Sequence, residues 1–162
     1  MINDFALKVS TAQDVTATAV STNSIDLSSA ASAGVPGSTV GDNPQGIGTG
    51  YPLSMVIEVP PACTAGSAAL VTFEVITASD DALTTNIETI GSSDQYAIAG
   101  LVPGREPIAV AINPDIGNLQ GHNQRYLGCR FSTTVSLTNG AFTVGFQLDF
   151  QNARIFPASP AP

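Results

Sequence analysis

The chain carries little charge for its length, and very little of that charge is positive. Charged residues make up 11% of its 162 residues, and five Lys or Arg against thirteen Asp or Glu give a net charge of −8. A surface that binds nucleic acid needs clustered cations to displace counterions from the phosphates. Lys8 is the only cation before Arg105, and the four arginines are scattered. We therefore expect no direct contact with nucleic acid.

Residue types on which many enzymes depend are also scarce. The chain has one histidine, His122, and no tryptophan. A Ser-His-Asp triad could use only that histidine, and no G-x-S-x-G elbow surrounds a serine. Zinc sites need closely spaced Cys or His, whereas Cys63 and Cys129 lie far apart. Asp80-Asp81 matches no calcium-binding loop and is interpreted as a solvated turn. We expect no enzyme activity, no metal and no cofactor.

The sequence has no long apolar run and no secretion signal. Its apolar stretches fall far short of the ~20 residues that cross a membrane. The opening Met1-Ile2-Asn3-Asp4 lacks the basic start of a signal peptide. We therefore expect a protein made in a cytoplasm, without membrane contact. In that reducing compartment its two cysteines are expected to be free thiols, with a disulfide between them as the alternative.

What the chain does contain is the composition of β-strands. Fifteen glycines and eleven prolines punctuate segments rich in Thr, Val, Ile and Phe, and no helix-period pattern of useful length occurs. The predicted strands are residues 15–20, 25–27, 53–59, 69–77, 86–90, 96–101, 108–112, 126–137 and 142–150. They predict one all-β domain over residues 1–162, a jelly roll or β-sandwich of about eight antiparallel strands. A long surface loop over residues 28–52 and an extended tail over residues 156–162 complete this interpretation.

The last two predicted strands show the clearest alternation. The inward residues are predicted to be Leu127, Cys129, Phe131, Val135 and Leu137 on the first, and Phe142, Val144, Phe146, Leu148 and Phe150 on the second. Asn139-Gly140 lies between the strands and is a strong signal for a two-residue hairpin turn. The hairpin would pair Thr138 with Ala141.

The register of that hairpin leads to further predictions. Counting outward from the turn, Leu137 faces Phe142, Val135 faces Val144 and Phe131 faces Leu148. On the outer face, Arg130 lies opposite Asp149, and we expect the two charges to pair. Cys129 lies opposite Phe150 and is predicted to be buried as a small hydrophobic residue.

Six segments follow one another along most of the chain: STAQ (residues 10–13), VTATAVSTNSIDL (15–27), GIGTGYPL (46–53), SMVIEV (54–59), AGSAALVTFEVITASDD (65–81) and RYLGCRFSTTVSLTNGAFTVGFQLDF (125–150). Their order resembles that of the jelly-roll capsid cement (decoration) proteins of tailed double-stranded-DNA bacteriophages. No single segment carries chemistry, and the resemblance rests on their order and spacing along most of the chain. Residues 28–41 are longer than the corresponding stretch of that family.

The resemblance implies a structural role. It implies a virion protein on the outer surface of an HK97-type capsid, where dimers bridge neighbouring subunits of the major capsid protein and stabilise the shell. A lectin-like module that binds carbohydrate on a phage surface is the alternative, and a glycan-degrading enzyme with two facing carboxylates is a second one. The absence of tryptophan, a frequent platform for sugar rings, speaks against both.

Contact with the shell is expected from loops and termini, because strands within a sandwich have few free backbone groups. The loop over residues 28–52 has one charge, Asp42, so placing it against a partner costs little desolvation energy. The predicted interface residues are Tyr51, Pro52, Arg105, Arg125, Arg154 and Phe156. The alternative for Tyr51 is packing at the entry of the following strand, and the alternative for the three arginines is solvation in loops.

Overall fold

The chain folds into β-strands joined by turns. A computed structural model describes residues 7–27, 53–59, 63–65, 68–112 and 124–148. The strands are β1 (Lys8–Asp14), β2 (Ala19–Val20), β3 (Ile25–Asp26), β4 (Leu53–Glu58), β5 (Thr64–Ala65), β6 (Leu70–Ala78), β7 (Glu88–Ser92), β8 (Tyr96–Ala97), β9 (Ile108–Ala111), β10 (Tyr126–Thr133), β11 (Leu137–Asn139) and β12 (Ala141–Leu148). A turn of 3-10 helix, Ile98–Gly100, follows β8, and the described ranges contain no α-helix.

The strands form two sheets and a short ribbon, and all of their pairings are antiparallel. One sheet has the order β1-β12-β4-β9. The other has the order β2-β10-β6-β7, with β3 also paired to β10 and β8 also paired to β6. The ribbon joins β11 to β5.

The pairing of these strands is that of a jelly roll. β2 and β3 lie along the same edge of β10 and form one interrupted row, and β7 and β8 form another along β6. Each sheet then has four rows. In chain order, the first row pairs with the eighth, the second with the seventh, the third with the sixth and the fourth with the fifth. This is an antiparallel ribbon wrapped into a two-sheet sandwich, and it confirms the predicted fold class.

The core lies between the two sheets. Phe73 on β6 and Phe131 on β10 point into it from one sheet, and Phe142 on β12 points into it from the other. The ring centroids of Phe73 and Phe142 are 5.1 Å apart with nearly perpendicular planes, while Phe131 and Phe142 stack at 5.6 Å. Their burial follows the alternation of apolar residues along each strand.

Polar contacts close one side of the sandwich, where β1 and β2 are the edge strands. The Gln13 side chain on β1 donates to the carbonyl of Val20, 2.7 Å away, and accepts from the amide of Thr22 at 3.0 Å. The amide of Asn23 donates to the carbonyl of Val9 at 2.9 Å. Backbone groups that edge strands leave open are thus used to join the two sheets.

Most predicted strands are confirmed within one or two residues of their bounds. β3, β4, β6, β7 and β9 match their predictions closely, whereas the predicted strand over residues 96–101 is strand only at β8. β1 was not predicted, and residues 15–20 are extended only at β2. Bulges interrupt the register of β1, and Ala12 has a φ of 45°, so the strand lacks the alternation that identifies strands from sequence. The long loop and the tail lie outside the described residues.

The predicted hairpin at Asn139-Gly140 is wrong. A two-residue type I′ turn needs positive φ at both central residues, and neither residue has it. Instead β11 pairs with β5, and the amide of Val15 donates to the carbonyl of Gly140 at 2.8 Å. A Cβ atom at Gly140 would lie 2.8 Å from Cδ1 of Leu137, so close packing accounts for this glycine.

The two strands of the supposed hairpin belong to opposite sheets. β10 pairs with β6, and β12 pairs with β1 and β4. Phe131 therefore faces Phe73 on the neighbouring strand, and Arg130 lies beside Glu74. Cys129 lies beside Val75 and is buried as predicted, while Val135, predicted to be inward, is 40% exposed in the crossing between the sheets.

Candidate interaction surfaces

Four stretches of the chain join the sandwich at one end, which we call the connector end. Leu7, Leu27, Leu53, Ile112, Gln124 and Leu148 are the described residues that adjoin these stretches. Pairings and backbone bonds bring them together: β4 and β12 pair at Leu53 and Leu148, the amide of Ile112 donates to the carbonyl of Leu53, and the amide of Leu27 donates to the carbonyl of Arg125. The stretches themselves are residues 1–6, 28–52, 113–123 and 149–162.

An ion pair lies on the rim of the connector end. Nε and Nη2 of Arg125 donate to the two carboxylate oxygens of Asp26 at 2.9 and 2.7 Å, and the guanidinium lies 5.1 Å from the centre of the Tyr126 ring. Hydrogen bonding to Asp26 raises the pKa of Arg125. The Arg125 side chain is 49% exposed, so the pair fixes the conformation of the rim more than it stabilises the fold.

A second arginine lies at the opposite end of the sandwich. Nη1 of Arg105 donates to the carbonyl of Gly100 at 2.8 Å, and its guanidinium lies 4.6 Å from the centre of the Tyr96 ring. Val102, exposed by 44%, belongs to the same loop. Because β8 pairs with the first residues of β6, and Arg125 bonds to the last, roughly 27 Å of strand separates Arg105 from Arg125.

The structure thus divides the predicted interface residues. Arg105 and Arg125 are not brought together, and each has partners within the fold. Tyr51, Pro52, Arg154 and Phe156 lie outside the described residues, in stretches that join the connector end. Both described tyrosine rings, Tyr96 and Tyr126, have an arginine guanidinium over one face. Neither ring offers that face as a platform for a sugar.

The outer face of the six-stranded sheet is partly covered by the loop after β6. Asp80 organises this loop: its Oδ1 accepts from the amides of Thr84 and Thr85 at 3.0 and 2.6 Å, and its Oδ2 accepts from the Thr84 hydroxyl at 2.7 Å. Leu83, with a φ of 56°, is fully buried in a second apolar cluster with Ile76 and Ala78. The predicted turn at Asp80-Asp81 is confirmed. The burial of Leu83 by the same loop could not be predicted from the sequence.

The outer face of the four-stranded sheet is built from small and polar side chains. Ser54, Ala109, Ala111, Thr143, Gly145 and Gln147 point outward. Val56 is only 2% exposed and lies in a shallow depression lined by Lys8, Glu58 and residues of β12. Among the described residues that line the depression, Glu58 is the one carboxylate, and a glycosidase would need two that face each other. Gly145, in the middle of β12, is the feature of the sequence that points to this face.

The described residues hold no cluster of side chains typical of a metal site. No three His, Cys, Asp or Glu side chains within them converge as a metal site would require. Cys63 and Cys129 are free thiols and buried, and burial raises the pKa of both. No helix in the described ranges is long and apolar enough to cross a membrane.

Comparison with known proteins assigns the chain to a family. The sequence model of the Bbp16 family matches residues 9–146, well over half of the chain. The chain belongs to the Bbp16 family. The match begins in β1 and ends in β12, so nearly all of both sheets of the jelly roll lies within the Bbp16 region. No curated protein matches the chain.

Proposed function

We propose that this Bbp16-family chain is a structural virion protein that cements the outer surface of a phage capsid. It would act as a homodimer that bridges neighbouring subunits of an HK97-type major capsid protein. The observation that carries the proposal is the connector end, where four stretches of chain leave the same side of a compact sandwich. The resemblance to cement proteins along most of the sequence supports it.

Cementing depends on thermodynamic linkage between binding of the protein and stability of the assembled shell. A protein that binds only the assembled shell stabilises it by mass action. Many modest contacts, repeated by the symmetry of the shell, add through multivalency. A sandwich joined by Phe73, Phe131 and Phe142 across its core supplies a stiff body for such a clamp. The four stretches that join the connector end would contact the neighbouring capsid subunits.

The proposal assigns the shell contact to the connector end. Tyr51 and Pro52 immediately precede β4, and Arg154 and Phe156 follow β12, so all four belong to stretches that join this end. Arg125 lies on its rim. Arg105, at the opposite end, is left out of the proposed contact.

The test uses filled heads of the virus that encodes the chain. Heads are stripped of the protein, and full-length chain or a variant lacking residues 28–45 is added back. Binding is measured by co-sedimentation, and the stability of the heads by release of DNA on heating or osmotic shock. Val102→Ser, at the opposite end, is the control variant.

The full-length chain and Val102→Ser should bind at high copy number and raise the temperature of DNA release. The deletion variant should bind weakly or not at all while keeping its own cooperative unfolding. Absence of the chain from purified virions, together with unchanged stability of heads to which it is added, would overturn the proposal. Binding to isolated glycans instead of heads would favour the carbohydrate-binding alternative.

A further inference from the structure

Gly145 occupies the middle of β12, and no contact with the described residues requires a glycine there. Its φ is not positive, and a Cβ atom there would meet no heavy atom of the described residues closer than 3.5 Å, which is an ordinary contact distance. Gly128, by contrast, leaves no room for a Cβ atom. Because glycine weakens a strand interior, its presence on an outer face favours close approach of another backbone to this strand.

Two opposite charges flank this glycine, and neither has a partner among the described residues. Lys8 is the cross-strand neighbour of Gly145 on one side, and Val56 is its neighbour on the other, two residues before Glu58. Both charged side chains are half-buried on the face, and within the described ranges neither forms an ion pair or a hydrogen bond through its charged group. Arg105, Arg125 and Arg130, in contrast, each have a polar partner.

The rest of the face carries little charge. β9 and β12 contain no charged residue, and the only other charge in the four strands is Asp14, exposed at the end of edge strand β1. Two copies of a chain with a net charge of −8 repel each other over most of their surfaces. On this face the acidic Glu58 is balanced by the basic Lys8, so charge repulsion does not oppose contact between copies there.

We propose that two copies pack face to face through the outer surfaces of their four-stranded sheets. A two-fold axis lying over β12 sets Lys8 of each copy opposite Glu58 of the other, so one self-complementary surface forms two ion pairs. The small side chains at Gly145 and Thr143 let the two β12 strands approach. This inference rests on the dimeric clamp proposed above and names the surface through which it pairs.

The size of the face sets the strength of the pairing. Four strands about 4.8 Å apart and about six residues long cover roughly 400 Å². Stable interfaces bury about 800 Å² on each partner, so the pair is weak in free solution. On a shell, where neighbouring copies are already held close together, the same contact is strengthened by effective concentration.

The first experiment swaps the two charges in the full-length chain. Sedimentation is measured from about 1 μM to about 1 mM, the range in which small interfaces dissociate. Lys8→Glu and Glu58→Lys should each raise the dissociation constant roughly 10-fold or more, because like charges then face each other twice. The double variant, which keeps the net charge, should restore pairing. Asp94→Lys, exposed on the other sheet, matches the charge change of Glu58→Lys and should not weaken pairing.

A second experiment captures the weak pair covalently. Thr143→Cys places a thiol near the two-fold axis, and a short bis-maleimide should link two copies. Ser136→Cys, exposed at the end of the sandwich, should give little linked product. The two native thiols are buried and serve as an internal background.

The outcomes separate this inference from the cement function. A chain that stays monomeric at all concentrations, or pairs equally well with either single charge reversal, overturns the face-to-face pairing. If such a chain still binds and stabilises heads, the cement function stands. A chain that pairs as described but never binds heads supports the pairing and overturns the cement function.

Discussion

The side chain of Leu83 lies directly on the backbone of Gly128. A Cβ atom at Gly128 would stand 2.3 Å from Cδ1 of Leu83 and 2.9 Å from Oγ of Ser21. The loop after β6 therefore reaches the outer face of β10 only because that strand has no side chain there. The contact packs the loop after β6 against the outer face of the six-stranded sheet, whose inner face lies in the core.

Gly128→Ala should therefore destabilise the protein. Overpacking a filled site typically costs about 1–3 kcal/mol, and we expect a loss in that range from denaturant unfolding. Gly145→Ala is the matched control, because its nearest contact is 3.5 Å and alanine favours the strand. The double variant Gly128→Ala/Leu83→Ala should lose less than the sum of its single changes. Equal stability of both glycine variants would contradict the packing described here.

Asp80 should make the same loop sensitive to acid. Its hydrogen bonds, chiefly from the Thr84 hydroxyl, lower its pKa below the ordinary value of 3.8. A lowered pKa in the folded state contributes stability above the unfolded value, and that contribution is lost as the pH falls through the folded value. Asp80→Asn should thus speed amide exchange at Thr84 and Thr85 at neutral pH. The difference from the native chain should shrink below about pH 3.8, and Asp81→Asn should have little effect at any pH.

Arg130 should be coupled to Glu74 and not to Asp149. Nε of Arg130 donates to Glu74 on the adjacent strand, and its Nη2 donates to Thr89 at 3.2 Å. Cross-strand pairs of this kind contribute roughly 0.2–1 kcal/mol. A double-mutant cycle with Arg130→Ala and Glu74→Ala should show a coupling in that range. The cycle with Asp149→Ala should show none, and a reversed result would restore the hairpin register.

Both cysteines should resist reagents until the protein unfolds. Cys129 is fully buried, and its pKa is raised by burial and further by the charge of Glu74. Native chain treated with iodoacetamide should keep its mass, and chain treated in denaturant should gain two adducts. A non-reduced mass lower by two hydrogens would show a disulfide and contradict the free thiols.

Much of the fold could be predicted because period-2 alternation survives in most strands. In β6, Val71, Phe73 and Val75 alternate with polar residues, and one inner face is buried against the other sheet. β1 escaped prediction because its bulges break that period. Asn139-Gly140 led to a wrong prediction because the pair permits a turn. Backbone hydrogen bonds from the Val15 amide to the Gly140 carbonyl and from the Leu137 amide to the Thr16 carbonyl select a different backbone.

The candidate surfaces were less predictable than the strands. Loops and arginines can be found in a sequence, but their position relative to each other depends on how the ribbon wraps. Arg105 and Arg125 are twenty residues apart and lie at opposite ends of the sandwich. Lys8 and Glu58 are fifty residues apart and lie on one face. No local sequence pattern predicts how far apart these pairs of residues lie in the folded chain.

The sequence by itself determined that this chain is an all-β protein with an acidic, charge-poor surface, because composition and alternation act residue by residue. Tertiary structure alone decided which strands pair. Phe131 and Phe142, eleven residues apart with a turn signal between them, stack across the core from opposite sheets. Burying both apolar faces against each other removes more surface from water than a hairpin would, and that gain depends on the whole chain.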